Sequence, residues 1–410
     1  MIKKTLRTVL LLSLLSYPAV AAADDLHYNN ILIGDRASGM GGAYTAVSDD
    51  PGGLYFNPAG IAYSTGQSLS ASVNAYSVTN RTYKGVFGGQ DWKRTSSTLL
   101  PNFFGIIQPI GKFKFGFSYA VPDSSQEDQD QQFTRADYGG ASETINFNNK
   151  NDTTLFGPSI ALQLSEKFSI GTSLYAHKRS TEAVLYDTII SRDASQYLLS
   201  SAYSESDEWG IRPVVGIMWA PVEKLSLGLT FAKTLVLDSE IIKQSTLSSN
   251  AASQAIKTFE TYSDKRSYPY QITAGAAFFP TSTLLISCDL SFNSAYDYTL
   301  ANILNKRDAV INGAIGAEYY LNKNWAVRGG LFTDFSNAPK IVNDTSTQFE
   351  HIDFFGSSMT LSHFTKNTSL TFGGNYKFGS GESKVAGGSK GIQDVSADGW
   401  ILFVSSSYSY

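Results

Sequence analysis

The sequence predicts an all-β fold: a transmembrane antiparallel β-barrel of about 14 strands, its lumen plugged by an N-terminal periplasmic hatch. Three observations carry this. Hydrophobicity alternates with period two from Gln67 onward, very short turns alternate with long polar segments, and 17% of residues are charged while 13% are aromatic. A soluble chain carries about a quarter charged residues, so this surface needs fewer of them.

The elements follow in chain order. Lys3, Lys4 and Arg7, an apolar run over 9–15 and the small residues Ala19-Val20-Ala21 form a secretory signal peptide, expected to be cleaved within 22–24. We assign 1–23 to it, 24–66 to the hatch and 67–410 to the barrel. No later stretch supplies the ~18 consecutive apolar residues of a membrane helix, so a membrane span must be a barrel. The hatch reading rests on 34–60, which holds too much Gly, Asp and Pro for a long helix or strand, yet contains Met40, Leu54, Tyr55 and Phe56, which call for burial. Gly39, Gly41 and Gly42 permit tight turns, and Asp49 and Asp50 can bond backbone amides. Asn57, Pro58 and Ala59 close the stretch. All eight are read as architecture of a gate, with ligand contacts elsewhere.

Strands are predicted near 67–78, 96–108, 112–121, 153–164, 167–178, 209–219, 225–235, 270–279, 283–293, 311–320, 325–333, 352–362, 368–378 and 400–410. Each approximates the 9–11 residues that cross a bilayer at a tilt. Lys112-Phe113-Lys114-Phe115-Gly116-Phe117 is the clearest case, with aromatics at every second place. Short turns fall at 109–111, 165–166, 221–224, 280–282, 322–324 and 365–367, and long external loops between the pairs, as in outer-membrane barrels. Tyr319, Tyr320, Trp325, Phe278, Phe279 and Trp219 near the turns suit interfacial girdles. The last strand ends on Tyr410, a terminal aromatic that suits the signal read by the barrel assembly machinery.

The net charge of -4 points to no nucleic-acid partner. The one cysteine, Cys288, allows no intramolecular disulfide and lies on an apolar strand face. No Gly-x-Ser-x-Gly elbow occurs and the four His show no metal spacing. Neither enzyme activity nor a cofactor or metal is expected. Lys114, Arg212, Asp289, Glu318 and Arg328 are predicted to face the lumen, with Glu318 and Arg328 flanking one turn and able to pair. A lumenal cation could also hold a carboxylate head group. The segments 179–208 and 236–269 are rich in apolar residues, among them Leu185, Ile189, Ile190, Leu198 and Leu199 in one and Ile241, Ile242, Ile256 and Phe259 in the other. They either form an external hydrophobic groove or cap the barrel.

The string Ala37-Ser38-Gly39-Met40-Gly41-Gly42-Ala43-Tyr44, then Asp49-Asp50 and Asn57-Pro58-Ala59 directly before the first strand, resembles the FadL/TodX family of outer-membrane transporters for long-chain fatty acids and other hydrophobic compounds. The resemblance implies a monomeric fourteen-stranded barrel in the Gram-negative outer membrane, held in outer-membrane lipid. It also implies capture of a hydrophobic molecule by external loops, a lumenal pocket, short helices in the groove loops, and passive lateral release through a gap at a kinked strand. Gly116 is one candidate for that kink. An aqueous porin has no use for the plug. PorV-like partners of secretion complexes carry similar Arg-Ala-x-x-Met-Gly and Asn-Pro-Ala strings, and form the alternative reading.

Overall fold

The computed structural model describes residues 26–250, 254–344, 348–385 and 391–409, so the signal peptide and Tyr410 lie outside the described residues. Its strands are β1 (Ser68–Phe87), β2 (Gln90–Ile110), β3 (Phe113–Arg135), β4 (Ala141–Ser165), β5 (Phe168–Ile190), β6 (Tyr197–Val222), β7 (Leu225–Lys233), β8 (Leu235–Ser249) and β9 (Ile256–Tyr262). They continue as β10 (Tyr270–Thr281), β11 (Leu284–Asn293), β12 (Tyr296–Leu300), β13 (Ile303–Arg307), β14 (Val310–Asn322), β15 (Trp325–Asp334), β16 (Gln348–Phe364), β17 (Thr368–Lys384) and β18 (Gln393–Ser409).

All but β12 and β13 belong to one 16-stranded antiparallel sheet. Since β8 continues β7 and β9 leads into β10, these strands occupy fourteen positions of a ring. The ring is closed by β1 on β18 and β5 on β6. Closure follows from the solvent: hydrocarbon cannot satisfy a free strand edge. The period-two pattern sets the register, because a slip of one residue would turn every apolar side chain inward. Phe113, Phe115, Phe117, Leu229, Phe231, Ile272, Leu402 and Val404 are exposed on the outer face, and Cys288 is exposed there beside Ile286 and Leu290.

The periplasmic turns fall where predicted, as shown by Ile110 opposite Phe113 and Asn322 opposite Trp325. The external segments differ from expectation. Most of 79–95, 122–152, 179–208 and 379–399 continues the strands, so β1 to β6 run 20 to 26 residues and rise past the membrane. Their polarity suits loops, but their residues pair across strands in water instead. Of 294–309, β12 and β13 form a separate hairpin.

The chain before β1 fills the lumen. It holds two short helices, α1 (Asp35–Gly39) and α2 (Gly53–Phe56), and a 3-10 turn (Gly60–Tyr63). Met40, Tyr44, Ala46, Leu54 and Ile61 have no exposed surface. Met40, Tyr44 and Val47 pack on Ala277 and Leu285 of the wall, and Leu54, Ile61 and Ala62 on Ile107 and Ala161. The wall makes room with paired inward glycines: Gly171 beside Gly216, Gly228 beside Gly275, and Gly316 beside Gly330. A Cβ on Gly228 would stand 2.2 Å from the Thr45 carbonyl oxygen, and one on Gly316 2.4 Å from that of Met40. Hatch backbone thus lies directly on wall backbone, which excludes water from the seal.

Gly228→Val is expected to push the hatch off the wall, destabilising the plugged state by about 1–3 kcal/mol. It should raise ion conductance in planar bilayers, whereas Leu229→Val on the lipid face should leave the barrel sealed.

Candidate functional site: the stoppered lumen and its parted wall

The hatch is tied to the ring on many sides. Asn57 is fully buried; its amide nitrogen donates to the Thr45 carbonyl at 2.8 Å and to that of Ile217 in β6 at 3.1 Å, while its oxygen accepts from Ala59 N–H. The Ala59 carbonyl takes the Ser169 hydroxyl, and Pro58 lies against Gly171. Gly41 and Gly42 adopt positive φ of 67° and 85°, and a Cβ on Gly39 would meet Thr360 at 2.3 Å. Asp50 accepts Gly52 N–H. Of the hatch residues singled out in the sequence, Gly39, Asn57, Pro58 and Ala59 lie against the wall and Asp50 bonds backbone, whereas Asp49 is exposed and meets only the Arg36 side chain.

Charges complete the fastening. Arg36 of α1 donates to both oxygens of Glu318 in β14, at 2.8 and 2.9 Å, and to Asp49 at 2.6 Å. Glu318 also accepts from Arg328 across the turn, so the predicted pair exists and recruits a hatch residue. Burial opposes the charge on Arg36, but Glu318 and Asp49 outweigh it and hold the guanidinium protonated well above its ordinary range. Burial, aided by the Asp50 carboxylate, pushes the Tyr44 phenol up, so it stays neutral. Asp289 accepts the N–H groups of Tyr44 and Thr45, and Lys114 donates to the Ser64 carbonyl. Arg212 donates to Thr234 and Gln271 and meets no hatch atom by hydrogen bond among the described residues.

Above the plug the wall parts. Between β2 and β3 the ladder runs from Ile110–Phe113 to Phe103–Ala120, reappears only at Ser96–Glu127, and leaves 97–102 facing 121–126 without ladder pairs. Pro101 and Pro122 lie in this interval and have no N–H to give a ladder. Gly116, the kink candidate, instead keeps its pairs with Ile107 and Ser159 and opens space for Leu54. A bulge breaks the register of β3 on β4 between Ala120 and Asp123.

The segment preceding α1 crosses this parting from inside. Ile31 N–H donates to the Pro122 carbonyl, Asn30 donates to Asp123, and Asn102 of β2 donates to the Leu32 carbonyl. Further back, Tyr28 and Asn29 N–H groups bond Asp334. Beside the parting is a cavity of about 40 Å³ whose lining includes Asn30, Ile31, Arg81, Asp123, Lys377 and Trp400. Arg81 is paired with Glu350 at 2.8 Å, and Lys377 contacts Asn30 at 3.1 Å and Asp334 at 3.6 Å. Higher still, Tyr83, Val86, Ile352, Phe354 and Val395 form an apolar cluster that meets Phe133, Ile145 and Phe147 through Phe87 and Trp92.

The residues named for an external groove or a cap fall on both faces of the strands. Register places Leu185, Ile189, Leu198, Ile241 and Ile256 on the lumenal face, and Ile190, Leu199, Ile242 and Phe259 on the outer face. No helix occurs here among the described residues. Alternation in a strand splits what a loop could have gathered. The sequence reading missed Arg36, Arg81 and Lys377. The inward parity of Lys377 was a usable signal, whereas Arg81 lay in a segment read as loop.

The model of the outer membrane protein transport family OMPP1/FadL/TodX matches residues 14–273, more than half the chain. No curated protein matches the sequence. Among solved structures, a Pseudomonas aeruginosa FadL homologue is 13% identical, with 93% of this chain and 99% of that one covered and a TM-score of 0.65. The Pseudomonas putida toluene transporter TodX gives 13%, 93%, 99% and 0.64, and the CymD monoaromatic hydrocarbon channel 15%, 93%, 99% and 0.59. At these identities the likeness concerns the fold.

Glu318→Gln would leave Arg36 and Arg328 buried together with their shared counter-charge removed, at a cost of about 3–5 kcal/mol. Protease cleavage within the hatch of the purified barrel should become faster. Asp49→Asn, at an exposed partner, should change it little.

Proposed function

The chain belongs to the OMPP1/FadL/TodX family of outer-membrane transport proteins, and from that premise we propose that it is a passive channel for hydrophobic compounds carrying a polar head, long-chain fatty acids foremost. Family membership and the closed barrel put it in the outer membrane as a channel for hydrophobic compounds. The observation that carries the finer reading is the wall parting at 97–102 and 121–126, directly beside a lumenal cavity and above a sealed base.

The aromatic cluster at the external end offers apolar surface for capture, at about 0.8 kcal/mol per CH2 taken from water. The cavity offers Lys377 and Arg81 to an anionic head by charge-assisted hydrogen bonds, together with Asn30 and Ser96. Asn30 and Ile31 both line the cavity and strap the parting, so an occupant must disturb the strap. Loss of the Ile31 and Asn102 bonds would free the gap between β2 and β3 and let the tail leave into lipid. No energy source is needed beyond partition. Outer-membrane lipid surrounds the apolar girdle, the barrel assembly machinery is the proposed reader of β18, and catalysis has no part in the reading.

Two measurements test this. Protein extracted in mild detergent should carry an alkyl-chain amphiphile detectable by mass spectrometry, displaced by added fatty acid. In a Cys288→Ser background, an oxidised Leu99→Cys/Ser124→Cys lock across the parting should stop fatty-acid uptake by cells and release it on reduction; undiminished uptake in the locked state would refute lateral release here.

A further inference from the structure

The wall parts a second time. The β7–β10 ladder ends at Lys233–Tyr270, the β8–β9 ladder resumes at Ile241–Tyr262, and 234–240 faces 263–269 without ladder pairs. The two ladders keep the same register, so the strands separate and rejoin as the two lips of a slit. Both lips keep other ties: 235–240 pairs with β6 on its far side except at Leu237, and Arg266 and Tyr268 of the other lip have side-chain partners.

The depth of the slit is fixed by its lower edge. Lys233 Nζ lies 3.8 Å from the centre of the Tyr270 ring, a cation and an aromatic of the kind that anchors at the headgroup level. Leu229, Phe231 and Ile272 face hydrocarbon below it. Just above, where 234–240 and 263–269 stand apart, water and headgroups can satisfy backbone groups that hydrocarbon cannot.

The slit joins an outer lip that carries both leucines and carboxylates to a lumen lined by guanidiniums. Leu235 and Leu237 are 42% and 57% exposed on its outer side. Behind it, Arg212 donates to Thr234 at its lower end, and Arg266 stands 3.6 Å from Glu208, which also accepts from Tyr268 and bonds His177. Arg179, two residues along β5 from His177 and buried, adds a third guanidinium. Arg266 and Arg179 both act on the single Glu208 carboxylate, and Asp264 is engaged with Ala301 N–H of the β12–β13 hairpin.

We propose that this slit is a second lateral port, which takes the anionic head of a single-chain amphiphile from the outer leaflet into the lumen. The carboxylate of such a molecule rests at the depth where the strands part. Arg266 and Arg179, two guanidiniums on the one Glu208 carboxylate, attract it past Asp238 and Glu240, which are exposed on the lip, and its tail lies below the slit along Leu229, Phe231 and Ile272. The inference is independent of release between β2 and β3, since it concerns admission at another pair of strands.

The test uses the full barrel in liposomes and a photoreactive fatty acid, delivered either dissolved in the bilayer or from albumin in the medium. In the Cys288→Ser background, Asp238→Cys/Lys265→Cys places one thiol on each lip, and oxidation and reduction make each sample its own control. The lock is expected to abolish lumenal labelling from the bilayer and leave labelling from albumin intact. Arg266→Gln should lower bilayer-delivered labelling by the carboxylate about tenfold relative to its methyl ester, the factor one charge-assisted hydrogen bond supports. Unchanged bilayer labelling in the locked state, or equal loss from both sources, would overturn the port. Failure of the Leu99/Ser124 lock would instead strike only the release route.

Discussion

A sheet in hydrocarbon must satisfy all of its own backbone hydrogen bonds, and this constraint governs the rest of the molecule. It forces β1 onto β18 and β5 onto β6, makes the periplasmic turns short, and puts large apolar side chains outside where a soluble protein would hide them. It also gives meaning to the exceptions. An interrupted ladder in lipid is costly, so the two partings, both high on the wall, mark places where something other than the neighbouring strand is to be bonded. At one of them that something is visible: the N-terminal segment supplies Ile31 N–H to Pro122.

Closure creates the second problem, a ring wide enough to leak. The hatch answers it by backbone-to-backbone contact, which paired glycines allow and larger residues would forbid. Polar fastening then selects one seating of the hatch. Asn57 reaches β6, Asp289 receives two amides, and Arg36 completes a charge pair on β14 and β15. Such buried charge networks contribute specificity of placement more than net stability. A gate benefits from that balance, because a well-defined closed state need not be a deeply stable one.

The lumen above the hatch is more polar than a channel for hydrophobic compounds would suggest. Arg81, Arg94, Glu127 and Glu350 form one paired group with Tyr83, and His177, Glu208 and Arg266 another. Interleaved with them are the aromatics of the external cluster, with Arg94 over Phe147 at 4.9 Å. A path that alternates apolar surface with paired charges suits an amphiphile better than a plain hydrocarbon, since each part of such a molecule finds a partner.

The amino-acid order by itself determined the ring: period two, turn spacing and low charge require fourteen tilted strands, because alternation is local and the bilayer selects for it. The burial of 34–60 was legible too, since a stretch with too much Gly, Asp and Pro for a long helix or strand also holds Met40 and Leu54, and the Glu318–Arg328 pair followed from one tight turn. What lay beyond local pattern was decided by tertiary structure. Long hydrophilic segments became strands because pairing with neighbours in water satisfied them, which put the apolar residues of 179–208 and 236–269 on two faces. Arg36 became a fastening only because closure brought β14 to α1, and the partings emerged only where prolines or a strand's interruption met a particular neighbour. Those outcomes depend on residues hundreds apart in the chain, and no local period encodes them.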